Sequence, residues 1–90
     1  LFLFPRSRRM AFWMKNTAMP LDILFFDQQL RLINAHYNVP PCRSSRCAHY
    51  PSERAAAMVL ELNGGRSATL ALKPGAQLRI IHPKQLPQAQ

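Results

Sequence analysis

Glycine is scarce in this chain, with 3 in 90 residues. That excludes collagen-like repeats and the glycine-rich loops that cradle phosphates. Acid is nearly as rare: 4 Asp and Glu stand against 12 Lys and Arg, for a formal charge of +8. A hydrolytic carboxylate pair has only Asp22, Asp27, Glu53 and Glu61 to draw on. No apolar run approaches the roughly 18–20 residues of a membrane-crossing helix. Charged residues are 18% and hydrophobic residues 48%, the reverse of a disordered chain. A chain of this size buries only about 60–65% of its unfolded surface. It has room for one small domain, expected over residues 1–82, with a polar flexible tail over 83–90.

The 8 prolines all fall between apolar runs. A sheet protein needs that placement, because proline cannot donate to a central ladder. Short strands are expected at 1–4, 10–15, 21–27, 30–37, 56–63 and 77–82. Residues 5–9 read as a basic turn and 16–20 as a loop. Gln28-Gln29 reads as the tight turn of an antiparallel hairpin. Residues 38–55 have no apolar period and read as one long loop. Residues 64–72 read as a short helix, stopped by Lys73-Pro74-Gly75.

Alternation along these strands is weak. Met10, Phe12 and Met14 share a face, with Ala11 and Trp13 opposite. Leu21, Ile23 and Phe25 share a face, with Leu24 and Phe26 opposite. Both faces are apolar, so both need cover. The expected fold class is mainly β: a small sandwich or barrel-like antiparallel sheet with one short helix.

Cys42 and Cys47 have four residues between them. Such a pair closes a small ring worth roughly 2 kcal/mol in the chain-entropy model, and a disulfide implies an oxidising compartment. Two plain thiols are the alternative. A metal pair with His49 and His36 is the other, although the usual zinc spacings are absent. The charge suggests a solvated basic surface or attraction to a polyanion such as nucleic acid, anionic lipid or acidic cell-wall polymer. The cations are spread along the chain, with local groups only at 6–9 and 43–46.

No nucleophile elbow, zinc-protease motif or nucleotide loop occurs, so no cofactor, metal or catalytic residue is expected. Asp22 is the most informative acid, because a carboxylate in an apolar strand needs a partner. If strands 10–15 and 21–27 form a hairpin, Lys15, Asn16, Thr17 and Asp22 gather at its end, with Met14 or Lys15 opposite Asp22. Beside Trp13, that cluster reads as a site for a small polar ligand. Turn chemistry favours the other reading, a structural knot in which Asp22 and the Asn16 side chain accept loop amides and Lys15 balances the charge. His36, at the end of the 30–37 strand, joins the candidate ligand residues. Trp13, with Phe12, Phe25 and Phe26, reads as core rather than as a stacking platform.

Trp13-Met14-Lys15-Asn16-Thr17, followed by Pro20-Leu21-Asp22-Ile23-Leu24-Phe25, resembles the central signature of the domain-of-unknown-function 192 family. Val59-Leu60-Glu61-Leu62-Asn63 with Gly65, and Leu72-Lys73-Pro74-Gly75, resemble its second block. The resemblance implies a small β-rich fold with one short helix, often exported or periplasmic, without an established activity. The family carries a strand and a Gly-Leu-Met segment upstream of the position of Leu1. An open sheet edge and self-association are therefore expected. It also carries a Gly in the 27–30 turn, where this chain has Gln28-Gln29. The functional expectation is a non-catalytic extracytoplasmic binding or accessory module, holding a small polar ligand or a protein partner. The alternatives are a polyanion binder, an enzyme of unknown reaction, and a cytoplasmic location.

Overall fold

The structure, a computed structural model, describes residues 2–14, 18–70 and 72–79. Four antiparallel strands form one sheet in the order β1-β6-β3-β4. They are β1 (Phe2–Arg8), β6 (Ala56–Asn63), β3 (Leu21–Phe26) and β4 (Leu32–Val39). The sheet curls into a half-barrel. A separate two-stranded ribbon pairs β2 (Ala11–Trp13) with β5 (His49–Pro51). A short 3₁₀ helix, Arg66–Leu70, follows β6.

β3 is central because both of its faces are apolar. Ile23 and Phe25 enter one core with Met10, Met14, Ile33, Val39, Ala56 and Val59. Leu24 and Phe26 enter another with Leu32 and Met58. The ribbon covers the first core through Phe12 and Tyr50, which stand opposite each other in its register. Leu72, Ala76 and Leu78 cover the second. The mainly β expectation holds, and each apolar face has the cover it requires.

Several local expectations need correction. β2 does not form a hairpin with β3. It pairs with β5, while β3 pairs with β4 and, in unbroken register from Leu21↔Asn63 to Phe26↔Met58, with β6. Two long strands bury both edges of β3, which the three residues of β2 cannot do. Residues 38–55 are not one loop, since they hold the end of β4 and all of β5. Residues 5–8 continue β1 instead of turning. Pro5 is tolerated there because β1 is an outer strand of the sheet. The expected helix over 64–72 is a 3₁₀ turn of five residues. Of the expected strand over 77–82, Gln77 makes only a bridge to Arg31. Residues 80–82, and the tail over 83–90, lie outside the described residues.

The turn at Gln28-Gln29 forms as expected, stabilised by the Asp27 carboxylate. It accepts the Gln29 and Arg31 amides at 2.9 and 3.0 Å. Leu30 takes the left-handed conformation, with φ of 61°. A Gly would adopt that conformation without strain.

Candidate functional site

Asp22 is 0% exposed. It sits on the β3 face that carries Leu24 and Phe26, where the strand leaves the core. Oδ1 accepts the Asn38 amide at 2.6 Å and the Gly65 amide at 3.0 Å. Oδ2 accepts the Ser67 amide at 2.9 Å and the Ser67 hydroxyl at 2.6 Å. Each donor is aimed by a local irregularity. The β3–β4 register shifts by one residue between Leu21 and Ile23, and Asn38 lies in that bulge with φ of 50°. Asn is among the residues that best tolerate this region, and the extra residue leaves its amide free of the ladder. Gly65, at φ 85°, and the following 3₁₀ turn supply the other amides. Gly64 must be glycine because a side chain there collides with the Asn38 Oδ1 and Pro20.

Burial alone raises the Asp22 pKa. The hydrogen bonds from Ser67, Asn38 and Gly65 outweigh it and bring the value down to about 2. Asp22 is thus an ionised clamp joining β3, β4 and the 3₁₀ turn. Its donors are three backbone amides and the Ser67 hydroxyl. They come from 38 and 65–67, and not from the 16–20 loop. Lys15, Asn16 and Thr17 lie outside the described residues.

The other candidate residues stand elsewhere. His36 lies on the opposite face of the sheet from Asp22, and its Nε2 is 2.8 Å from the Pro51 carbonyl. A carbonyl only accepts, so Nε2 carries the proton. Its ring packs edge-on against Phe25 and Tyr50, with centroids 6.1 and 5.4 Å away. Asn34 donates to the same carbonyl at 3.1 Å and accepts the Glu53 amide at 3.0 Å. Asn34 and His36 therefore fasten β5 to the sheet.

Trp13 is not core. It is 52% exposed. The expected partition of faces is right: Met10, Phe12 and Met14 turn inward, which puts Ala11 and Trp13 on the outside. In the ribbon register Trp13 stands opposite His49 and Ala11 opposite Pro51. The Trp13 and His49 rings lie 5.7 Å apart at 30°. His49 had no marked role in the sequence beyond possible metal ligation. The signal for this pair is a strand-strand contact across 36 positions, which no local pattern announces.

Cys42 and Cys47 form a disulfide with Cα atoms 5.7 Å apart. The Cys42 amide donates to the Met14 carbonyl at 2.9 Å, which joins the disulfide loop to the end of β2 beside Trp13. Arg43 and Arg46 are exposed on that loop. A shallow groove continues along the ribbon, lined by Arg9, Met10, Ala11, Pro51, Ser52 and Glu53. Among the described residues, no three His, Cys, Asp or Glu side chains group as a metal site requires. No described helix is long and apolar enough to cross a membrane.

The sequence pattern of the domain-of-unknown-function 192 family (DUF192, uncharacterized ACR) matches residues 1–80. The chain belongs to that family. It is similar to a protein of unknown function from Novosphingobium aromaticivorans, with 38% identity and a TM-score of 0.73. That match covers 82% of this chain and 51% of the other. It is also similar to a candidate transcription regulator from Sinorhizobium meliloti, with 39% identity and a TM-score of 0.73, covering 82% of this chain and 55% of that one. The chain thus spans about half the length of these relatives. Among curated proteins no match is found.

Proposed function

We propose that this chain is a non-catalytic binding or accessory module of an extracytoplasmic protein, with its ligand surface on the outer face of the β2–β5 ribbon. The observation that carries the reading is Trp13, half exposed with its ring tilted beside that of His49, next to a loop held by the Cys42–Cys47 disulfide. A large aromatic held at the surface by a rigid ribbon is an effective contact residue, and burial of the ring on binding is favourable. Asp22, the acid with the strongly displaced pKa, is closed off by its own amides, so it offers a substrate no proton acceptor. The disulfide favours an oxidising compartment. Lys15, Asn16 and Thr17 follow directly on Trp13-Met14 in the sequence.

Trp13 is the only tryptophan, so its fluorescence reports on this surface alone. A collection of small polar ligands should contain at least one that changes Trp13 emission saturably and raises the melting temperature. A collection that moves neither would remove the reading. The extracytoplasmic part is checked by blocking thiols at cell lysis: Cys42 and Cys47 should resist alkylation, and labelled thiols would count against export.

A polyanion-binding role is the second reading. The charge of +8 favours it, as does the similarity to the Sinorhizobium meliloti protein. Duplex binding then weakens with salt, with a log–log slope of about −0.9 per phosphate neutralised.

A further inference from the structure

The outer face of the ribbon has a direction as well as a platform. Ala11 and Trp13 alternate outward from the buried Met10 and half-buried Phe12, and Arg9, just before β2, lines the same groove as Ala11. The Met10 amide donates to the Ser52 hydroxyl at 2.9 Å, and the Ser52 amide donates to the Met10 carbonyl at 2.8 Å. This keeps the chain extended back towards Arg9. The Arg9 Nη2 donates to the Glu53 carbonyl at 2.8 Å. A guanidinium has five donors, so this contact fixes the group at the groove end with donors to spare. At about 3.4 Å per residue of extended chain, Arg9 and Trp13 stand roughly 14 Å apart. Between them the floor is small and apolar, made by Ala11 and Pro51.

We propose, resting on the binding-module reading above, that this strip takes a short acidic oligosaccharide. One sugar ring lies on Trp13 and His49, and a carboxylate further along the chain meets Arg9. The spacing suits an oligomer and exceeds one ring. Sugar rings present flat C–H faces to an aromatic, and arginine matches a carboxylate through paired donors. Charge complementarity selects an acidic occupant. Of the four acids, Asp22 is sealed inside and Asp27 is engaged by its own turn amides, which leaves Glu61 and the groove-lining Glu53 against a net charge of +8 and the exposed Arg43 and Arg46 of the disulfide loop. Single-stranded nucleic acid fits less well, because such binders offer successive stacking platforms and the ribbon offers one aromatic pair.

The test titrates the full chain with a galacturonic acid trimer and reads Trp13 fluorescence. Saturable binding is expected, weakened about tenfold or more by Arg9→Gln. Arg79→Gln removes the same charge from elsewhere and should leave affinity unchanged. A neutral galactose trimer should bind the parent at least about tenfold more weakly than the acidic one. If Arg9→Gln fails to fold, that comparison decides. Equal affinity for the neutral trimer overturns the acidic ligand while the Trp13 platform survives. Tighter, Trp13-reported binding of a single-stranded oligonucleotide overturns it in favour of nucleic acid. A Trp13 response to another ligand but none to the trimer overturns the sugar assignment alone. Silence towards every ligand overturns both readings.

Discussion

Asp22 combines complete burial with full ionisation, and its effect on stability has a defined pH range. Its folded pKa of about 2 lies below the ordinary 3.8. A depressed value means that the unfolded chain binds the proton more readily. The stabilisation is therefore complete above the ordinary value and is lost as pH falls through the folded one. The shift corresponds to roughly 2 kcal/mol. Urea unfolding should show that loss between about pH 5 and 2, and Asp22→Asn should abolish this part of the profile. Asp22→Ala strands several buried donors, so a larger loss of about 3–5 kcal/mol is expected at neutral pH. The need for a partner at Asp22 was legible in the sequence, because a carboxylate in an apolar strand requires one. The identity of the partners was not. They are backbone amides 16, 43 and 45 residues away and the Ser67 hydroxyl, and nothing local to Asp22 announces partners so distant in the chain.

At the scale of elements, the clamp depends on a bulge and a close approach. Asn38→Val places a β-branched residue at positive φ and should cost about 1–3 kcal/mol, whereas Asn38→Gly should be nearly neutral. Gly64→Ala pushes against Asn38 and Pro20 and should cost about 1–3 kcal/mol. Denaturant midpoints with unchanged slopes check all three. The long strands were legible because residues 21–27 and 56–63 are apolar and bounded by turn residues. β5 was not, since His49–Pro51 is three residues long and ends in proline. Trp13 shows a different limit. Period-two alternation correctly separated Met10, Phe12 and Met14 from Ala11 and Trp13. Only the tertiary pairing with β5 shows which of the two sets faces the core.

For the molecule as a whole, β3 ties two cores into one cooperative unit. The ribbon is attached to it through Phe12, Tyr50, His36 and the disulfide loop. With the disulfide intact, Trp13 fluorescence and the circular dichroism of the sheet should report a single transition in urea. Reduction by a dithiol removes about 2 kcal/mol and releases the loop that Cys42 holds against Met14. The Trp13 transition should then move to lower urea than the sheet transition, as the ribbon frays first. Coincident curves after reduction would show that the ribbon needs no such tether.

The clamp around Asp22 is built from peptide dipoles and a hydroxyl. Mobile ions dissolved around a protein weaken attraction between opposite charges that face the solvent, but they have little purchase on a sealed carboxylate surrounded by its own main chain. The corner where three segments meet should therefore hold as firmly in brine as in fresh water, while any anion gripped at the arginine-rich exterior comes and goes with the saltiness of the surroundings.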